Sequence, residues 1–532
     1  MAIMVVGAAL RLCHLLRLRA TPFFQNLDTD SAVYDGWAEK IASGDWLGHA
    51  SFFQDPLYPY FLAIQYRILG RNLLSVRLIQ VGLSLLAIYL TFRITRLLFG
   101  DYAGWFAATV CAVYKSFIFY DVEIEKTVLG YGLVTVFLAF YFCPRKSTQF
   151  FAGVTLGLAC LVRGNLLIWV PLAAALANFN PVDGTNSFRP KLSIRLLRSM
   201  ALLGGVLVIL GPVMLRNRWV CKEWVVTTTQ SGQNFYIGNS PYNRVGTGVF
   251  PPFIRGSPLL EKEDFKMVAE SRSDHPLSDV EVSRFWWKQS FAHARAHPRF
   301  FVGMIIRKIG LFFNDLEPSD NQSMDFMSLN SWVLRLPLIT FVGMLVLGVI
   351  GVVTNFKNRQ VLTLSLFFGA YAVSVAAFYV LSRYRAPSMP VMAILSGGAF
   401  SGTFDLWRRK RFLHLSLTAA AALCAFFIAH VKFPELDSGD FNAHGYMKMA
   451  KVYEKEHDPD RQRWAYQRTL EWEPKNLTAL YEIAQLEFAG GRHSSAAMYL
   501  KRLLELSPLD FEGRQLSKRL SDLGQPPLRL PP

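Results

Sequence analysis

The chain has 532 residues, 52% of them hydrophobic and only 18% charged, a balance that excludes an ordinary soluble protein of this length. Its formal net charge of +17 is dispersed over the segments between apolar runs and forms no single basic stripe, which excludes a nucleic-acid-binding surface. The six cysteines show neither metal nor disulfide spacing, so packing alone must hold the parts outside the apolar runs.

An apolar run of roughly 18 or more residues with few charges marks a bilayer span, and such a span must be a helix because lipid offers the backbone no hydrogen-bond partner. In chain order the runs fall at 1–16, 76–98, 103–120, 127–142, 150–162, 166–177, 200–215, 333–353, 361–381, 391–404 and 412–429. The expected fold class is therefore all-α, a polytopic membrane helix bundle of about eleven spans. The first run would reach only about 24 Å and contains Arg11 and His14, which suggests that the natural start lies upstream of Met1; a cleaved signal peptide is the alternative, although no small-residue cleavage site stands out. The short pair around Arg163-Gly164-Asn165 reads either as two spans or as one re-entrant hairpin.

Lys and Arg are enriched in short cytoplasmic loops. Arg145 and Lys146, then Arg189, Lys191, Arg195 and Arg198, then Lys357 and Arg359, and finally Arg408 to Arg411 all fall on one side in this count. That side is the cytoplasm, with Arg17 and Arg19 as the exception. The long segments 19–75, 216–332 and 430–532 are then outside.

Beyond the last span the chain becomes charged and loses its long apolar runs. Pro474 and Pro508 lie 34 residues apart, each closing a helical stretch, which is the tetratricopeptide period. The small and large positions of that repeat are filled by Ala484, Gly491, Ala496 and Leu500 in the second copy and by Ala450 and Tyr453 in the first, which lacks the small residue at Gln462; the alternative is an ordinary helical hairpin. The expected organisation is a membrane domain at 1–430, a linker at 431–444, and at 445–532 a repeat domain of two copies with a capping helix through Leu516.

Chemistry should concentrate in the outside loops. Asp30, Tyr34 and Trp37 have the spacing of one helix face, and Asp28 or Asp30 also suits a helix N-cap. Further along stand Gln54-Asp55-Pro56-Leu57-Tyr58-Pro59, and after the third run Asp121-Val-Glu123-Ile-Glu125-Lys126. Asp28, Asp30 and the second acidic stretch have the oxygen chemistry of a divalent-cation site, or else of solvated turns. Arg163, Arg216, Arg383 and Arg385 each lie at the outside end of a span, where a guanidinium fork suits a phosphate and equally suits lipid headgroups. His293 and His297 have zinc-like spacing but lack a third ligand, and read as part of a surface helix.

The order of these features (a span, an acidic loop with Asp followed four residues later by Tyr, a Pro-Leu-Tyr-Pro run, a second span) resembles the GT-C membrane glycosyltransferases. Within them it is most similar to the protein O-mannosyltransferase and aminoarabinose transferase group, glycosyltransferase family 39 and its bacterial relatives. The stretches 153–163, Arg216-Asn217, 232–239 and 382–387 add to the resemblance, which covers 1–430. It implies a GT-C fold in a bacterial inner membrane and transfer of a sugar from a polyprenyl-phosphate donor to a hydroxyl of protein, lipid or polysaccharide on the outer, periplasmic face. Asp30 is implied as general base, with Asp28 in reserve and Glu123 and Glu125 as further functional acids. Arg163, Arg216, Arg383, Arg385 and Lys126 would bind the donor phosphate, and Tyr34, Asp55, Tyr58, Asn234 and Asn239 would lie in the substrate loops. No cofactor is implied, the mannosyltransferase group being independent of a divalent ion.

Gln54-Asp55-Pro56 departs from the Glu-Lys-Pro of aminoarabinose transferases and leaves the donor sugar open. The repeats would hold an acceptor protein or glycan, and the other partners would be membrane lipids. Two other classes compete: a transporter or flippase of lipid-linked sugars, and a membrane-anchored repeat scaffold. The first usually places ionisable groups near the bilayer midplane; the second does not explain the Asp30 loop.

Overall fold

The computed structural model describes residues 2–145, 147–177, 192–255, 260–319, 321–436, 438–508 and 510–523. Lys146, Arg189 and Lys191 of the basic clusters lie outside these described residues. Regular structure within them is helical, apart from one isolated bridge between Tyr114 and Ile339. The chain divides into two compact units.

The first unit comprises Met1–Leu15, Asp28–Asn321 and Val333–Lys432. Four of its helices, Leu73–Phe99, Ser193–Cys221, Arg359–Ala377 and Phe412–Ala429, are long and apolar enough to cross a membrane, and Thr127–Tyr141, Thr148–Val162, Gly164–Leu176 and Phe341–Thr354 are shorter apolar helices. The helices Thr148–Val162 and Leu192–Cys221 approach so closely that a Cβ on Gly153 would lie 1.9 Å from the Leu202 carbonyl, and one on Gly205 would lie 2.1 Å from that of Phe150. Only glycine permits that crossing.

Three expected spans differ in detail. The run 103–120 is not one helix but two, Asp101–Ala112 and Lys115–Tyr120. The break is stabilised by the extended segment before Phe341: Lys115 N–H donates to Ile339 O at 2.9 Å, and Ile339 N–H to Val113 O at 3.2 Å. These bonds satisfy groups that a helix interruption would leave bare. The run 333–353 opens in a short 3-10 helix, Trp332–Arg335, and is α-helical only from Phe341, since Pro337 lacks the N–H a continuous helix would need there. The run 361–381 ends as a helix at Ala377; beyond it, Lys308 donates to Phe378 O at 2.8 Å and Val380 N–H to Gly246 O at 3.0 Å. That extended piece delivers the chain to Arg383.

Arg11 and His14, anomalous in an apolar run, are both fully buried. Arg11 Nε lies 2.6 Å from Asp121 Oδ2 and 2.9 Å from Ser84 Oγ, while its Nη1 donates to the carbonyls of Gly7 and Ala112. Tyr131 also donates to Asp121.

The second unit comprises Leu16–Leu27, Gln322–Trp332 and Phe433–Pro532. Its C-terminal helices are Ser438–Lys455, Pro459–Trp472, Leu477–Ala489, His493–Leu506 and Phe511–Asp522. Small residues Ala450, Ala465, Ala484 and Ala496 are buried where neighbouring helices meet, and Tyr466, Leu500 and Leu503 fill the space between them. Glu487 is shared by Arg463 and Arg492 at 2.5 and 2.6 Å. The other two pieces join through aromatic edges, Phe326 meeting Tyr446 at 4.9 Å and Phe23 at 6.0 Å.

Candidate functional site

The helix Thr29–Ala42 opens with Asp28 at its N-cap position, where the side chain makes no capping bond. Thr29 has φ +48°, a conformation that β-branched residues rarely adopt and that is found at functional sites. It puts Asp30 in the first turn. There Asp30 Oδ2 lies 2.8 Å from Arg383 Nη2 and accepts from Asn321 Nδ2 at 3.4 Å, while Gln54 Nε2 reaches Oδ1 at 3.5 Å. Glu125 accepts from Asn321 at 2.5 Å and lies 3.5 Å from Arg383 Nη1. One amide and one guanidinium thus span two carboxylates. Beside them Lys126 Nζ meets Asp55 Oδ2 at 2.5 Å.

The turn that carries Glu125 and Lys126 is fixed from below. Gln80 donates to the carbonyls of Asp121 and Glu123 at 3.2 and 2.7 Å, Arg77 Nε donates to that of Val122 at 2.8 Å, and Tyr58 orients Gln80 by donating to its Oε1 at 2.7 Å. Tyr34 packs edge-on against Tyr58 with ring centroids 5.4 Å apart. Both tyrosines are buried supports.

Asp55, Lys126 and Arg163 also line a cavity of about 660 Å³. Arg163 is only 6% exposed. Its guanidinium lies 4.6 Å over the ring of Tyr384 and makes one long contact, 3.4 Å, to Arg383 O, while its Nε has no hydrogen-bond partner among the described residues. A buried cation bordering a void in this way is built for an anion, because leaving it uncompensated is costly.

Burial alone would push the Asp30 carboxyl up. Arg383, then Lys126 and Asn321, outweigh it and hold the group below the usual carboxylate range. Lys126 is lowered by burial, with Asp55 opposing and Arg163 and Arg383 adding to the effect. Asp30 is therefore ionised at neutral pH. Because its folded pKa is depressed, the interaction is fully present above the ordinary carboxylate range and is lost as pH falls through the folded value. Replacing Arg383 by Gln removes the main cation, so the acid limb of any rate profile that depends on ionised Asp30 should move to higher pH. Rate measurements between pH 3 and 7 check this, and an unmoved limb would detach it from Asp30.

The structure brings together Asp30, Asp55, Glu125, Lys126, Arg163 and Arg383, and puts Asn234 on the cavity wall, where it accepts from Tyr379 at 3.1 Å. It takes other expected residues elsewhere. Arg216 donates to the carbonyls of Leu47 and Ala50 at 2.8 Å and lies over Phe52 at 3.9 Å, holding the loop before Asp55. Arg385, 1% exposed, donates to the carbonyls of Leu311 and Leu316. Asn239 bonds the carbonyls of Phe235 and Ala377 and accepts from Lys308. Asp28 and Glu123 lend backbone carbonyls, to Ser31 and Gln80. Asn321, Gln80 and Tyr384 belong to the site but carry no sequence signal. Arg11 had one, a charge inside an apolar run, which demands a buried partner.

An all-helical, multi-pass membrane protein with a charged cavity beside a cluster of loop acids is the class these observations define. Residues 53–213 match the family model of the dolichyl-phosphate-mannose-protein mannosyltransferases, so the resemblance to GT-C glycosyltransferases of family 39 holds over that segment. No curated protein matches the sequence. Among solved structures, the oligosaccharyltransferase AglB of Archaeoglobus fulgidus, in complex with an inhibitory peptide and a dolichol-phosphate, is similar at 15% identity and a TM-score of 0.42, covering 88% of this chain and 59% of its own. The chain thus spans less than two thirds of that protein. ArnT of Cupriavidus metallidurans, bound to undecaprenyl phosphate, is similar at 15% identity and a TM-score of 0.41, covering 93% of this chain and 79% of its own.

Proposed function

We propose that this chain is an integral-membrane glycosyltransferase that moves a sugar from a polyprenyl-phosphate donor to a hydroxyl acceptor on the outer face of a bacterial inner membrane. The observation that carries the reading is the buried, under-bonded Arg163 bordering the same cavity as Lys126, with Asp30 held by Arg383 at 2.8 Å. In an inverting transfer the acceptor oxygen attacks the anomeric carbon and the bond to the phosphate oxygen breaks. The electron pair leaves with the phosphate, where Arg163 and Lys126 stabilise it, and the acceptor proton passes to Asp30. Arg383 keeps Asp30 ionised and aimed. The match of residues 53–213 to the dolichyl-phosphate-mannose-protein mannosyltransferase model supports a lipid-phosphate sugar donor.

Purified protein incubated with a panel of radiolabelled polyprenyl-phosphate sugars should release label to an acceptor from at least one of them; no transfer from any would sink the reading. Arg163→Ala should weaken binding of undecaprenyl phosphate about tenfold or more, and more than Arg163→Lys, since lysine keeps charge but not the fork. Equal affinity in all three proteins would make Arg163 a packing residue.

The C-terminal helices are read as tetratricopeptide-like repeats that hold the acceptor, or the protein presenting it, outside the cytoplasm. Such repeats stack into concave surfaces suited to extended partners. In spheroplasts, Ser494→Cys should react with an impermeant thiol reagent; labelling only after the membrane is broken would put the repeats in the cytoplasm.

A further inference from the structure

The cavity is lined by much more than its charged end. All eight residues of 224–231 line it, among them Thr227, Thr228, Thr229, Gln230 and Ser231. This loop is held firmly: Asn217 Nδ2 donates to Val225 O at 3.0 Å, and Thr229 N–H donates to Phe52 O at 2.9 Å. Yet the side chains of Thr227, Thr228 and Gln230 hydrogen-bond to nothing among the described residues, although Thr227 is only 7% exposed. A loop held in this way, bordering a void with hydroxyl and amide side chains that have no partner among the described residues, suits a ligand rich in hydrogen-bonding groups.

Two indoles accompany them. Trp287 lines the cavity, backed by Phe235 at 4.1 Å, and Trp224 lines it while 63% exposed. A row of polar groups runs along the same lining, Tyr384 donating to Tyr379 at 3.2 Å and Tyr379 to Asn234 at 3.1 Å. Strand addition, one of the ways an extended peptide is held, has no edge to use here, since the described residues contain no strand. Hydroxyls, amides and indole faces instead match a pyranose, whose rim bears hydroxyls and whose C–H faces pack on aromatic rings.

We propose that the 224–231 loop and Trp287 form the acceptor subsite and that the acceptor hydroxyl belongs to a saccharide. This rests on the glycosyltransferase reading, with the donor phosphate at Arg163 and Lys126. The test uses the full chain in lipid nanodiscs, exposed to an immobilised panel of oligosaccharides and of Ser- and Thr-containing peptides, with undecaprenyl phosphate binding measured separately. Oligosaccharides should be retained and peptides not. Thr227→Val with Thr228→Val, and separately Trp287→Ala, should each lower that retention by about tenfold or more while leaving undecaprenyl phosphate affinity unchanged. Retention of peptides instead of oligosaccharides, or retention indifferent to all these variants, would overturn the proposal. So would variants that lose undecaprenyl phosphate affinity, since the loop would then serve the donor. Loss of lipid-phosphate binding by wild-type protein would instead defeat the underlying donor reading.

Discussion

Asp30→Asn is expected to reduce sugar transfer by about 10² to 10⁴ while leaving the protein folded and donor binding nearly intact. The amide keeps the carboxylate's shape and its contact with Asn321 but cannot take up the acceptor's proton. It also loses the ion pair with Arg383, now 2.8 Å away. Because Arg383 is also 3.5 Å from Glu125, the guanidinium retains a carboxylate and need not leave the cluster. The measurement is single-turnover transfer together with undecaprenyl phosphate affinity and a thermal unfolding curve. Near-wild-type turnover in Asp30→Asn, with Asp28→Asn inactive, would reassign the base to Asp28.

The largest stability effect is expected at Arg11, which is bonded to Asp121 at the start of the turn that carries Glu125 and Lys126. Arg11 and Asp121 have fully buried side chains 2.6 Å apart. Arg11→Met leaves the Asp121 carboxylate buried without its cation and should destabilise the protein by about 3–5 kcal/mol, read as a shift of the denaturation midpoint in detergent. Adding Asp121→Asn to Arg11→Met removes the orphaned charge and should recover part of the loss. A single variant as stable as wild type would show that the pair contributes nothing net. Transfer activity should fall with the single variant as well, because Asp121 begins the turn that ends in Glu125 and Lys126.

Hydropathy read several helices closely: the run 412–429 is the helix Phe412–Ala429, and 76–98 lies within Leu73–Phe99. It failed where backbone chemistry decides. The interruption after Ala112 depends on hydrogen bonds to Ile339, a residue more than two hundred positions away, and side-chain hydropathy carries no trace of them. The late helix start at Phe341 was legible in principle, through Pro337.

Within the site, Asp30, Asp55, Glu125, Lys126, Arg163 and Arg383 stand out by residue type and by their place in loops or at the ends of apolar runs, which the sequence alone supplies. Position at the end of a span could not separate Arg163, which borders the cavity, from Arg216 and Arg385, which donate to backbone carbonyls and are not among the residues that line it. Nor could it divide the acidic stretch into Asp121, paired with a residue 110 positions earlier, and Glu125, which joins Asp30 through Arg383 and Asn321. Span composition and local charge are properties of short stretches, so the sequence by itself determined the helical membrane class and the pool of ionisable residues. Which carboxylate meets which cation is set by contacts between distant segments, through Coulomb attraction and hydrogen bonds that act only once the helices are packed, and only the tertiary structure decided it.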